Sequence, residues 1–73
     1  MDSRIVIDQS ICHGKPVIRG SRVPVVIVLG SLAGGMSFEE IQEEYALERE
    51  DILAALRFAE GIIDNDQFFS LAT

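Results

Sequence analysis

The spacing of apolar residues changes several times along this chain, and each change predicts an element. Ile5-Val6-Ile7 is short and β-branched, and Ile11 to Ile18 alternates loosely around Gly14 and Pro16, which together predict a short β-hairpin or extended arm that ends at Gly20. The run from Val23 to Leu29 reads two ways, because its β-branched residues favour a strand while Pro24 demotes it from a central one. We read it as a first helix, with Ser21 as N-cap, Pro24 in the first turn and Gly34-Gly35 as the stop. Such a helix is apolar nearly all round and must be covered on more than one side.

Two further helices are better marked. Ser37 and Glu40 form the capping-box pattern, and Met36 and Ile41 stand at the staple positions, ahead of a stripe of Phe38, Ile41 and Tyr45. After a break near Ala46 and Leu47, a third helix is predicted from about Arg49 to Asp64, with Glu48, Glu50 and Asp51 near its positive end and Asn65 as a left-handed cap. Ile52, Leu56, Ala59 and Ile63 follow one helical face, widened by Leu53, Phe58 and Ile62. The expected fold is mainly α: a three-helix unit whose second and third helices have helix-turn-helix spacing, or a plain three-helix bundle, preceded by a short N-terminal β-hairpin or arm. The expected divisions are a β arm over 1–22, a helical core over 23–65 and an apolar tail over 66–73.

Size and charge sharpen this picture. A core drawn from 73 residues yields only about 3–5 kcal/mol, so small domains lean on disulfides, metals or association. Cys12 is the single cysteine, which excludes an internal disulfide and fits a reducing compartment. No basic, apolar leader is evident, and the apolar run is far shorter than the ~20 residues of a membrane span, so a cytoplasmic location is expected. The net charge of −6 opposes non-specific attraction to nucleic acid or anionic lipid. The charge is uneven: Arg4, Lys15, Arg19 and Arg22 face only Asp2 and Asp8 in the first 22 residues, whereas everything after carries Arg49 and Arg57 against ten acids.

Lys15, Arg19 and Arg22 flank a tight turn at Gly20, where they would form a cationic patch for phosphate or a partner's carboxylates. Alternatively they pair with Glu39, Glu43 or Glu44 and fasten the arm to the body. Arg49 and Arg57 are the candidates for contact with DNA on the third helix, although its other charges there are acidic. Gly30 and Gly34 would leave a notch for a helix crossing within or between subunits, unless Gly34 simply caps the helix. Phe68, Phe69 and Leu71 in the tail call for apolar cover from the body, a twin subunit or a partner. Cys12-His13 suggests a nucleophile or metal pair, but neighbours in an extended segment point to opposite faces, and no other cysteine or histidine completes a zinc site. The glutamate pairs read as a solvated helix face, and Gly34-Gly35 lacks the lysine and spacing of a nucleotide loop. No metal or cofactor is expected, and nothing points to an enzyme.

The segment Gly14-Lys15-Pro16-Val17-Ile18-Arg19-Gly20-Ser21-Arg22-Val23-Pro24 resembles the hallmark of the family catalogued as domain of unknown function 433. Gly35-Met36-Ser37-Phe38-Glu39-Glu40-Ile41 resembles that family's acidic helix start, and Tyr45, Leu47, Asp51-Ile52 and Ala54-Ala55-Leu56 resemble its closing helix. Ser21 stands where threonine is more usual, and Glu48 where a capping serine or threonine is common. The resemblance implies a homeodomain-like helix-turn-helix and the role of an antitoxin, acting as a homodimer that binds a PIN-type nuclease toxin and operator DNA, the latter weakly or in complex. An arginine of the patch would then occupy the toxin's carboxylate-lined site. The other readings are an autonomous DNA-binding repressor and a structural dimerisation module.

Overall fold

The two β-branched runs near the start pair with each other. In the computed structural model, which describes residues 3–65, β1 (Ile5–Val6) lies antiparallel to β2 (Val17–Ile18), with Ile5 opposite Ile18 and Val6 opposite Val17. A short turn, Cys12–Gly14, lies between them. There Cys12 and His13 adopt left-handed backbone angles, φ 50° and 57°, so the segment is coiled and not extended as the alternation suggested.

The ambiguous apolar run divides into two parts. Val17 also bridges Pro24, the Ile18 N–H donates to the Val23 carbonyl (2.8 Å) and the Val25 N–H to the Pro16 carbonyl (2.9 Å). Its first residues therefore extend the sheet, and helix α1 begins only at Val25 and runs to Ala33, with Pro24 as N-cap. Ser21 is not the cap that the sequence predicts. The proline ring forces the residue before it out of the helical region, which keeps Val23 extended and moves the helix start past Pro24. Gly34 ends α1 at the C-cap, its N–H donating to the Gly30 carbonyl, and Gly35 turns the chain with φ 99°.

Helix α2 (Phe38–Tyr45) starts as predicted. The Ser37 hydroxyl accepts the Glu40 N–H (3.1 Å) while the Glu40 carboxylate accepts the Ser37 N–H (2.8 Å), so two donors that the helix leaves orphaned are satisfied reciprocally. Ala46 takes a left-handed C-cap conformation, φ 55°, and turns the chain so that Leu47 plugs the corner before helix α3 (Arg49–Asn65). The three helices and the two-stranded sheet form the expected mainly helical, helix-turn-helix architecture.

Ile5, Ile18, Val25, Val28, Ile41, Leu47, Ile52, Ala54 and Ala55 form one buried cluster, with Met36, Phe38, Tyr45 and Phe58 packed around it. The alanines let α3 approach closely. The apolar face predicted for α3 is buried only in its first half. Ile52 is fully covered, but Leu56, Ile62 and Ile63 are exposed. At 17 residues α3 is about 25 Å long, nearly twice the length of α1 or α2, and its last turns outrun what the other described elements pack against them. Among the described residues, no helix is long and apolar enough to cross a membrane.

Candidate functional site

Arg19-Gly20-Ser21-Arg22 forms the tip of a second, tight hairpin, between β2 and Val23-Pro24. The Arg22 N–H donates to the Ile18 carbonyl (3.0 Å), just inside the Ile18–Val23 pair, and all four tip residues are exposed. Ser21 holds the tip internally: its hydroxyl donates to the Ile18 carbonyl (3.1 Å) and accepts the Val23 N–H (3.2 Å). Gly20, at φ 83°, takes a turn that would strain any other residue. Arg22 sits in the left-handed region too, at φ 59°, although it has a side chain.

The two arginines of the tip are held differently. Arg19 donates its backbone N–H to the Arg4 carbonyl (2.8 Å) and its Nε to the Ser3 carbonyl (2.7 Å), which fixes the guanidinium plane while its terminal nitrogens remain to donate elsewhere. Arg22 faces Asp8. The Ser10 hydroxyl and N–H both donate to the Asp8 carboxylate (2.7 and 2.8 Å), and these bonds, with the Arg22 charge as a lesser contribution, hold that carboxyl below its ordinary range. Arg19 and Arg22 border one shallow depression, with Val6, Ile11 and Gly20. Lys15 lies apart from them, beside an apolar groove with Pro16, Val26, Leu29, Phe58 and Ile62. The patch of three cations thus resolves into an arginine pair at the tip and a separate lysine.

None of the three forms an ion pair with Glu39, Glu43 or Glu44. The arm is fastened instead by Arg4, whose Nη1 lies 2.9 Å from both Glu48 Oε1 and Asp51 Oδ1. These bonds, Glu48 first, raise the guanidinium pKa further above its ordinary range. Asp51 also accepts the Glu48 N–H (2.9 Å), which makes it a cap for the start of α3 and an anchor for the arm at once. The sequence gives no sign of Arg4, because its partners lie 44 and 47 residues away. An open cleft separates the tip from the α2–α3 corner, lined by Arg4, Arg19, Ser21, Tyr45, Ala46 and Glu48 among others.

Of the candidates on α3, Arg49 is less open to DNA than its charge suggests. The Arg49 guanidinium stacks over the Phe38 ring at 4.7 Å, joining the starts of α2 and α3. Arg57 is exposed farther along the helix. Gly34 is a cap, while a side chain added at Gly30 would meet nothing of its own chain within 4 Å. Phe68, Phe69 and Leu71 lie outside the described residues. Among the described residues, no group of three histidine, cysteine, aspartate or glutamate side chains is placed to hold a metal ion.

Comparison with known proteins places this geometry. Residues 5–59 match the model of the family described as "Protein of unknown function (DUF433)", from β1 through most of α3. A crystal structure of a DUF433 member from Anabaena variabilis superposes with a TM-score of 0.78 at 28% identity, covering 88% of this chain and 64% of that one. Rv2018 from Mycobacterium tuberculosis superposes with a TM-score of 0.66 at 35% identity over 71% of this chain and 24% of its own. A protein of Mycobacterium tuberculosis named "Putative antitoxin VapB45" is 34% identical over 55 residues, which are 75% of this chain and 23% of that protein. The chain thus spans about a quarter of the length of the antitoxin relative. The family match takes in the arginine tip, the capping box and the corner before α3, and the chain belongs to the DUF433 family.

Proposed function

We propose that this chain is an antitoxin-like regulator that binds a PIN-type nuclease toxin through its Arg19–Arg22 tip, as a homodimer, and reaches operator DNA only weakly or together with the toxin. The observation that carries the reading is the conformation of Arg22. A left-handed backbone is unfavourable for a residue with a Cβ, and among the described residues nothing engages the Arg22 side chain beyond its attraction to Asp8. Glycine would make the turn more cheaply, so the side chain is the reason for the residue. Arg19 beside it is oriented by the Ser3 carbonyl, and an oriented guanidinium loses little freedom when it forks onto a carboxylate.

The partner suited to such a tip presents carboxylates, as a metal-dependent nuclease does around its metal. The similarity to a protein named as an antitoxin supports a toxin as that partner. The start of α3 supports protein over DNA as the main target, because Glu48, Glu50 and Asp51 gather where a reading helix would meet phosphates. Co-expression with an adjacent nuclease-like protein tests this. The wild-type chain should copurify with it and relieve its toxicity, and Arg19→Ala with Arg22→Ala should lose both while keeping the helical spectrum. Unchanged capture by the double variant would sink the tip as the contact.

A further inference from the structure

Glycine inside a helix is destabilising relative to alanine, and is kept where its backbone must take φ above zero or where another element approaches closely. Gly30 lies in the middle of α1, outside the positive-φ residues, and among the described residues nothing beyond its chain neighbours and the backbone of α1 itself stands within 4 Å of where a side chain would begin. Neither reason for a glycine is met among the described residues. Gly30 is flanked on the exposed side of α1 by Val26 and Ile27, which are 60% and 41% exposed, and by Ala33. An uncovered apolar stripe with a notch at its centre is the surface of a helix that crosses another helix at short range.

We infer that α1 is the homodimer contact, two copies crossing at Gly30 with Val26 and Ile27 of each packed beside the notch of the other. The charge distribution selects a second copy as the occupant. Two chains of net charge −6 repel unless they meet through a neutral face, and from Val23 to Phe38 no side chain is ionisable. A two-fold axis sets identical patches against each other, which suits a patch that is apolar throughout and suits none that carries one sign of charge. The arginine tip, by contrast, would meet its own like charge in such an arrangement. The exposed Ile62 and Ile63 of α3, on the adjoining apolar groove that holds Val26 and has Lys15 at its rim, extend the face toward the roughly 800 Å² per partner that a stable interface buries.

The inference rests on the dimer of the proposed function and names its surface. Sedimentation of the whole chain should give twice its 8.0 kDa mass. Gly30→Leu should weaken the dimer about tenfold or more while leaving the helical spectrum intact, because the isolated subunit has room for the added atoms. Val26→Asp should do the same by placing a charge in the contact. A wild-type chain that sediments as a monomer overturns both the dimer and its surface, and doubly so if removal of residues 66–73 makes it dimeric, since the tail would then be the cover. A dimer that survives Gly30→Leu and Val26→Asp overturns the surface alone. Toxin capture is read separately, through Arg19 and Arg22, so its failure is not confused with either result.

Discussion

Among the described residues, four other than glycine carry positive φ: Cys12, His13, Arg22 and Ala46. They fall into two kinds. Ala46 closes α2, and its exposed methyl group takes no part in the core cluster, so its left-handed conformation is needed only for the corner. Ala46→Gly should therefore stabilise the fold by about 0.5–1 kcal/mol, in line with glycine's advantage at a left-handed helix cap. Chemical denaturation would show this as a higher midpoint at unchanged slope, and a lower midpoint would mean that the methyl group does more than the structure indicates. Arg22→Gly should likewise leave the fold at least as stable, yet lose toxin capture, since the backbone gains where the contact is lost. At this scale the sequence was informative about Gly20 and the two arginines, whose types mark a turn and a cationic tip. It was silent about Arg4, since an ion pair between residues more than 40 positions apart exists only once α3 has packed against the sheet. Ser21 looks like a helix cap in the sequence and is not one for a related reason. Its hydroxyl serves the nearest open backbone groups, and these belong to the hairpin once Pro24 has delayed the helix.

The elements differ in how far local chemistry determines them. Helix α2 was legible almost to the residue because its start is fixed by a box of four residues and its end by a corner that follows at once. The box also makes a pH dependence. The Ser37 N–H, with its hydroxyl, holds the Glu40 carboxyl below the ordinary range. A carboxyl depressed in the folded state stabilises fully above its unfolded value near 4.3, and that contribution fades as the pH falls through the lower, folded value. Thermal melts from pH 6 downward should thus show a loss of stability on the acid side of about pH 4. Glu40→Gln should begin with a lower melting temperature and fall less steeply. Parallel decline of the two proteins would show that the loss comes from other carboxyls, Asp8 among them. Ser37→Ala should remove the other half of the box, destabilising by about 1 kcal/mol. Helix α3 was legible in extent but not in its buried face. Periodicity marks which side is apolar, whereas burial depends on how far the shorter helices and the sheet reach along it, and they reach Ala55 but not Ile62 or Ile63.

On the scale of the whole molecule, two surfaces of opposite character emerge from one small core: a cationic tip on the sheet and an uncharged, apolar face on α1, continued by the apolar groove beside the end of α3. Their separation matters for DNA. A chain of net charge −6 must gather its cations on one side to bind a polyphosphate, and here they are dispersed. Arg4 is bound to Glu48 and Asp51, Arg49 is stacked on Phe38 beside Glu48 and Glu50, and Arg19 and Arg22 lie on the sheet side of the α2–α3 corner. The helix-turn-helix geometry is present, but the end of α3 that would enter a groove is held by the arm and ringed by carboxylates. The isolated chain should accordingly give no shift of its upstream DNA at physiological salt in a mobility assay, and a shift should appear only when a toxin supplies further cations or doubles the number of DNA-facing surfaces. A clean, salt-sensitive shift by the chain alone would favour the autonomous repressor instead. In that case Arg4 would serve by neutralising Glu48 and Asp51, and Arg4→Met, which frees both carboxylates to repel phosphate, should weaken that shift, while leaving toxin capture through the tip unaltered.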